Sequence, residues 1–380
     1  MKKTKTIIYV GGGSGGHLAP MVAIHNQFIK LNSESENHRF VLVTDKKTLK
    51  IAQELFGNNP EVKIRTISSG KFRRHPNLKL KDKFKLASYY FKNFIDLFKT
   101  VLGLIQSLIL MIKLKPNLII SKGGYVAVPV IFMAKLTGAK IIIHDSDTRP
   151  GLASKLTAPK ADKIFTGFET DFYPKNKSEW VGIPINESNF SADEIAKFKS
   201  AAHLNLNSRL KTILVLGGGN GSENLNEIIH LNLKLLLKKY NVIHQAGQGK
   251  ALYFDSSKYP GAYIQFGFCP QIEMFKYLKL SDLAISRAGA TSIQELAYNK
   301  KPSIIIPSPY LSDQIKNIKF LEAAEAALSL DELKLRDDPS LLLPEVEKAM
   351  TELNALSKNI AKIYKPGAAK KMAEAAASLL

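Results

Sequence analysis

Short apolar, β-branched runs alternate along this chain with longer stretches whose apolar residues recur every three or four positions. The runs at 6–10, 39–44, 62–68, 118–121, 140–144 and 163–166 read as strands. After a break the pattern restarts at 212–216, 242–245, 263–266, 283–286 and 303–307. Some runs are apolar without alternation, as in Ile141-Ile142-Ile143 and Ile304-Ile305-Ile306. Strands of that kind are buried on both faces, which places them in parallel sheets covered by helices on both sides. The order strand, glycine turn, helix, strand occurs at the start and again near residue 212. It predicts an α/β protein of two Rossmann-like, doubly wound halves. A length of 380 residues fits two domains. The seam is Trp180-Val181-Gly182-Ile183-Pro184, where glycine and proline interrupt any element. It separates a domain over 1–182 from one over 183–359. The tail from Ser357 to Leu380 is alanine-rich and helical in pattern, so a helix over 360–380 could pack back on the first domain.

Charge and apolar runs bear on location. The lysines at the N-terminus precede only Ile7-Ile8-Tyr9-Val10, too short for a signal-peptide core, so this run is a first buried strand. The run from Val101 to Ile112 is broken by Gly103, Gln106 and Ser107. At about 12 residues it falls short of the roughly 20 that span a bilayer, so no span is expected. The single Cys269 excludes a disulfide framework and a cysteine-only metal site, and fits a reducing compartment. The formal net charge is +21, which reflects either an anionic partner or a lysine-rich composition bias. Its distribution favours a partner. Lys71, Arg73, Arg74, Lys79, Lys81, Lys83, Lys85, Lys92 and Lys99 face only Asp82 and Asp96, with Phe72, Phe84, Tyr89, Tyr90, Phe91, Phe94 and Phe98 interleaved. A basic, aromatic segment leading into an apolar helix is the pattern of a surface that rests on anionic lipid. The expected membrane contact is therefore 71–112. No nucleic-acid module accompanies the basic segment, and no nucleic-acid partner is expected.

Three glycine-rich or small-residue turns carry the candidate chemistry. The first is Gly11-Gly12-Gly13-Ser14-Gly15-Gly16-His17, after a strand and before a helix with Pro20 in its first turns. Such a turn suits phosphate, held by backbone N–H groups at a helix N-terminus. Gly11-x-Gly13-x-x-Gly16 also matches the dinucleotide fingerprint. The acid that should bind a ribose is poorly placed, because Glu34 and Glu36 lie in a polar loop and Asp45 ends the next strand. His17, beside a helix N-terminus, is kept neutral and able to accept a proton, or else it caps the helix. The second turn is Gly217-Gly218-Gly219-Asn220-Gly221-Ser222, followed by a helix over 224–239. The third is Ser286-Arg287-Ala288-Gly289-Ala290-Thr291-Ser292, leading to Glu295. It offers N–H groups to a diphosphate and a carboxylate to ribose hydroxyls, while Ser292-x-x-Glu295 also reads as a capping box. Ser121-Lys122-Gly123-Gly124-Tyr125 forms a loop after a strand, and His144-Asp145-Ser146-Asp147 follows another. Asp145-x-Asp147 has the form of a metal-binding Asp-x-Asp pair. Helix N-termini neutralise a leaving diphosphate without metal, so no metal is expected.

Together these motifs, with 129, 244–247 and 306–317, resemble the bacterial glycosyltransferases that add N-acetylglucosamine to the lipid-linked muramyl-peptide precursor of peptidoglycan. The resemblance runs over nearly the whole chain. It implies a GT-B fold of two Rossmann-like domains facing across a cleft, and no cofactor. It implies transfer from UDP-N-acetylglucosamine to the 4-hydroxyl of a muramyl sugar on polyprenyl diphosphate, with inversion, at the cytoplasmic face of the plasma membrane. By position His17 is the base. Ser14, Gly15, Gly16, Gly219, Asn220, Phe268, Cys269, Ala290, Thr291, Ser292, Glu295 and Gln314 serve the donor. Among these, the backbone at Phe268 and Cys269 holds the uracil, Glu295 the ribose, and Gln314 the sugar. Gly13, Tyr125, His144, Asp145 and Asp147 serve the acceptor. The chain departs from the family's pattern in four places, one of them the loop before Gln314, which is about two residues shorter than in many members. His144-Asp145-Ser146-Asp147 replaces His-Glu-Gln-Asn, Gly219-Asn220 replaces Ser-Gln, and Asn186 stands where arginine is common. These departures keep open a related transferase acting on another membrane glycolipid. The first turn alone keeps open an NAD-dependent oxidoreductase.

Overall fold

The computed structural model describes residues 4–13, 15–32, 37–72, 83–219 and 221–380, with side chains described outside 83–89. Ser14, Glu34, Glu36, Asn220 and the basic positions 73–82 lie outside the described residues. The chain divides into two compact units. One holds residues up to 146, then 150–184 and 367–380, and the other holds 147–149 and 185–366.

The first unit is a seven-stranded parallel sheet wrapped by helices. Its elements in chain order are β1 (Lys5–Val10), α1 (Ala19–Leu31), β2 (His38–Thr44), α2 (Leu49–Leu55), β3 (Val62–Thr66), α3 (Lys83–Leu114), β4 (Leu118–Ser121), α4 (Ala127–Leu136), β5 (Lys140–Asp145), α5 (Leu152–Thr157), β6 (Lys163–Thr166) and β7 (Ser178–Trp180). The strand order is β3-β2-β1-β4-β5-β6-β7. Alternation along β1 divides the core. Ile7 and Tyr9 pack with Met21, Ile24 and Phe28 of α1. Ile8 and Val10 point to the opposite face, with Met111 of α3 and Val130 and Ile131 of α4. Each fully buried apolar side chain contributes about 1.5–3 kcal/mol relative to exposure, so both faces of this sheet hold the unit together.

The second unit repeats the plan with α6 (Ala192–Ala201), β8 (Lys211–Leu216), α7 (Glu223–Leu236), β9 (Tyr240–Gln245), β10 (Tyr263–Phe266), α8 (Gln271–Leu280), β11 (Leu283–Ser286), α9 (Ala290–Tyr298), β12 (Ser303–Ile305), α10 (Ser312–Ala323), β13 (Leu328–Ser329), α11 (Glu332–Asp337), α12 (Leu342–Thr351) and α13 (Leu353–Ala361). Its strand order is β10-β9-β8-β11-β12-β13, parallel throughout. The alanine-rich tail is not one helix. It breaks after α13, and Gly367, in the left-handed region at φ 79°, opens α14 (Ala368–Leu379). This last helix returns to the first unit, where Met372, Ala373 and Ala376 are buried with α1 against the sheet. Alanines let it pack close.

Helix α3 corrects the reading of the apolar run. The run from Val101 to Ile112 is part of a 32-residue helix, and the stretch Tyr90–Leu114 is long and apolar enough by length and composition to cross a membrane. Gly103 and Gln106 do not interrupt it because they face the protein. A Cβ on Gly103 would lie 2.0 Å from the Ser68 carbonyl, and Gln106 Oε1 accepts from the Ser68 N–H at 2.7 Å. Asp96, Ser107 and Met111 are buried on the same inner stripe, and Gly70 N–H donates to Thr100 Oγ1. The outer stripe is apolar and exposed: Phe91, Phe94, Phe98, Val101, Leu102, Ile105, Leu108, Ile109 and Ile112. The polarity is the reverse of an ordinary surface helix.

Candidate active site

In the first sheet the chain runs outward from β1 to β2 and β3, then returns to build β4 to β7 on the other side. The carboxyl ends of β1 and β4 flank that reversal, the place where open α/β sheets bind ligands. The first glycine turn and the loop after β4 meet there. Gly11 N–H donates to the Val43 carbonyl at 3.2 Å, and Gly13 N–H to Asp45 Oδ2 at 2.8 Å. Asp45 also accepts from the N–H groups of Lys47 and Thr48 and from Thr48 Oγ1. A Cβ on Gly12 would sit 2.7 Å from Asp45 Oδ2, and one on Gly13 would sit 2.8 Å from the Tyr125 ring. The glycines thus make room for an internal carboxylate and an aromatic ring. One N–H of the turn, that of Gly13, is therefore taken by Asp45. Asp45 is also no ribose ligand, being buried within its own turn. The Tyr125 hydroxyl is pushed to higher pKa by burial first and by the Asp45 charge second. Gly15 and Gly16 belong to a single 3₁₀ turn that ends at His17.

His17 sits beside this loop, partly exposed. Its Nδ1 is 3.2 Å from the Lys122 carbonyl, which only accepts, so Nδ1 carries the proton and Nε2 the lone pair. Gly124, at φ 77°, passes beside the ring, and a Cβ there would lie 3.6 Å from Nε2. Burial, and then the nearby Lys122 ammonium, lower the imidazole pKa to about 4. The capping alternative fails, because Leu18 occupies the N-cap of α1 and no side chain caps it.

His144 and Asp145 are held inside the first unit. The expected strand stops at His144, and β5 runs one residue further, to Asp145. His144 has no exposed surface, its Nε2 is 2.8 Å from the Gly182 carbonyl, and burial holds its pKa well below the usual imidazole range. Asp145 is buried and accepts from the Tyr173 hydroxyl. These two pin the end of β5. Asp147, expected with them, groups with the second unit.

In the second sheet the reversal lies between β8 and β11. Both following loops are the glycine-rich ones. Gly218 and Gly221 adopt φ 80° and 67°, and a Cβ on Gly221 would lie 2.3 Å from the Ala246 carbonyl. Ser222 caps α7, accepting from Leu225 N–H at 3.5 Å, and Lys238 and Lys239 fall beyond the helix end. Behind the turn, His244 Nε2 is 3.1 Å from Asn226 Oδ1, and Asn226 Nδ2 donates to the carbonyls of Ala246 and Lys250.

Helix α9 begins at Ala290 with Gly289 as N-cap and no side-chain cap. Ser292 is therefore its third residue, one turn too late to cap, and the capping-box reading of Ser292 and Glu295 falls. Ala290, Thr291 and Ser292 form an N-terminal turn whose N–H groups suit an anion. Glu295, partly exposed, accepts from Gln271 Nε2 at 2.6 Å. Burial raises its pKa to about 7, offset in part by that hydrogen bond. Gln271 also accepts from Asn186 N–H at 2.7 Å and so joins three segments. It went unnoticed in the sequence because nothing in its local pattern marks it. Phe268 and Cys269 lie in the loop that leads to α8, Cys269 buried with its thiol pKa raised. Gln314 is buried, its Oε1 accepting from Ser308 N–H at 2.9 Å, which shapes the loop after β12.

Two doubly wound units with small-residue loops at each reversal define a sugar transferase of glycosyltransferase family 28. The N-terminal domain model of that family matches residues 7–166 and the C-terminal domain model matches 212–379. Within it the chain belongs to the family of UDP-N-acetylglucosamine–N-acetylmuramyl-(pentapeptide) pyrophosphoryl-undecaprenol N-acetylglucosamine transferases. The member from Clostridium tetani is 35% identical over 336 residues, 87% of this chain and 86% of that protein. The member from Staphylococcus aureus strain MRSA252 is 32% identical over 360 residues, 93% of each. Among solved structures, MurG of Acinetobacter baumannii superposes with a TM-score of 0.66 at 21% identity, over 98% of this chain and 99% of that one. The calicheamicin glycosyltransferase CalG4 gives 0.65 at 10% identity, over 100% and 98%. The fold is GT-B.

Proposed function

We propose that this enzyme moves N-acetylglucosamine from UDP-N-acetylglucosamine to the 4-hydroxyl of the muramyl-peptide sugar on a polyprenyl diphosphate, converting lipid I to lipid II with inversion. The observation that carries the reading is membership of the transferase family over nearly the whole chain. In the proposed step the acceptor O4 gives its proton to His17 Nε2 and bonds to the anomeric carbon. The bond from that carbon to the β-phosphate oxygen breaks, and its electrons leave with UDP. N–H groups at Gly219 and at Ala290–Ser292 meet the growing charge. Glu295 accepts the ribose hydroxyls, the backbone at Phe268 and Cys269 faces the uracil, and Gln314 orders the sugar-side loop. Tyr125 and Gly13 serve the acceptor.

The reversed polarity of α3 supports seating on the membrane. An apolar outer stripe, with Lys71, Lys92 and Lys99 exposed near its start, matches a helix lying on an anionic leaflet while its polar inner stripe holds the sheet. The stripe supports a peripheral seat at the cytoplasmic leaflet, where the acceptor's lipid would be anchored.

A second reading, transfer to another membrane glycolipid, is favoured by Asp145-Ser146-Asp147 and by the burial of His144 and Asp145. Purified enzyme assayed with several UDP-sugars against a lipid I analogue and against diacylglycerol separates the two. The proposal expects turnover with UDP-N-acetylglucosamine and the lipid I analogue alone. Turnover with diacylglycerol only would replace it by the second.

A further inference from the structure

Arg287 stands at the head of the α9 loop, next to the diphosphate site proposed above, and a cation there invites the role of a charge partner for the donor. Its geometry points elsewhere. Nε donates to Ser222 Oγ at 3.0 Å, and Nη2 donates to the same oxygen. Nη1 donates to the Ile306 carbonyl at 3.0 Å and pairs with Glu332 Oε2. Glu332 opens α11 and is 1% exposed; Arg287 is 7% exposed. The other carboxylate oxygen of Glu332 accepts from Asn224 Nδ2 at 2.6 Å, in the first turn of α7. One buried ion pair therefore ties together the glycine turn after β8, the loop after β11, the end of β12 and the start of α11.

The physical need for such a tie is specific. Glycine turns carry the greatest backbone freedom of any segment, and two loops that share one diphosphate must keep a fixed spacing. A charged pair in a buried setting holds direction as well as distance, because removing either partner strands the other's charge. Ser222 is both the cap of α7 and the acceptor of the guanidinium, so a shift of Arg287 moves the turn itself.

We propose that Glu332 is a positioning residue of the donor site. Through Arg287 and Asn224 it sets the spacing between the 217–222 turn and the N-terminus of α9, and it does not touch the donor. The inference rests on the assignment of those two loops to the donor diphosphate. The test compares UDP with uridine on full-length protein carrying Glu332→Gln, which keeps an acceptor for Asn224 and loses the charge. Titration calorimetry and steady-state kinetics should show UDP affinity down tenfold or more and the KM for UDP-N-acetylglucosamine raised to match. Uridine affinity and acceptor KM should stay within twofold of wild type, since the base contact lies on the 268–269 loop and Glu295, a turn into α9, is held separately by Gln271. Asn224→Ala, which leaves the ion pair intact, should give a smaller split in the same direction and serves if the first variant fails to fold. Equal loss of UDP and uridine affinity, or no change in either, would overturn the proposal. Gly219→Val, which puts a side chain into the turn, separates the two levels. If it weakens UDP binding while Glu332→Gln does not, the clamp is wrong and the donor site stands. If it leaves UDP binding untouched, the donor-site assignment falls and takes the clamp with it.

Discussion

His17 can act as a base only while neutral, and its surroundings keep it so. The Lys122 carbonyl fixes the proton on Nδ1, while burial and the Lys122 charge bring the pKa to about 4. His17→Ala should lower the transfer rate by about 10²–10⁴, the usual worth of a positioned base, and leave UDP affinity unchanged by calorimetry. The wild-type rate of transfer should be flat on this account from pH 8 down to about 5 and fall below that, because protonation removes the Nε2 lone pair. Retained full activity in the variant would take His17 out of the chemistry. That His17 follows a glycine turn at a strand end was legible in the sequence. Which nitrogen holds the proton was not, because the carbonyl that decides it comes from 105 residues further along the chain. Asp45 teaches the same point in the other direction. Asp45 only ends a strand in the sequence, and the fold alone brings its carboxylate onto the Gly13 N–H, 32 residues back along the chain.

Among the elements, α3 shows how contact overrides pattern. Its glycine, glutamine and serine read as breaks in an apolar run, but they lie on one side of a continuous helix, where Gly103 and Gln106 meet Ser68. What remains on the other side is an unbroken apolar stripe. Charge on that stripe should release the protein from lipid without disturbing the fold, since the positions are exposed. Ile105→Glu together with Phe98→Glu should abolish co-sedimentation with anionic phospholipid vesicles, measured at low and high salt, while UDP binding persists. Unaltered sedimentation would assign the membrane contact elsewhere. Helix α9 shows the opposite error. Ser292-x-x-Glu295 has the spacing of a cap, but the helix starts earlier, at Ala290. Small residues at 288–292 satisfy many starts equally, and the packing of Ile293 and Leu296 into the core selects one.

At the scale of the molecule, stability should depend on pH through histidines whose charged form the fold disfavours. His17, His25, His144 and His244 all have pKa values lowered chiefly by burial, and His25 keeps its ring between the Tyr9 hydroxyl and Glu61. Unfolded histidine takes up its proton near pH 6.5, so the unfolded state binds more protons below that value. Stability carried by these groups is therefore complete above about pH 6.5 and is lost as pH falls toward the depressed folded values. Glu295 works in the opposite sense, since its raised pKa makes its ionised form costly between about 4.5 and 7. Four groups against one predict a net drop in melting temperature from pH 7 to pH 5, measurable by calorimetry at constant ionic strength. A flat or rising profile would refute it. The sequence alone determined the two α/β halves, because apolar runs without alternation have no stable place except between layers of helix. It also placed the small-residue loops at strand ends, because glycine is what the backbone needs where a strand turns into a helix. Tertiary structure alone decided what packs against each of those loops and where α14 belongs. Those outcomes depend on side chains such as Asp45, Glu332 and Met372, brought from distant positions into contacts that no local pattern encodes.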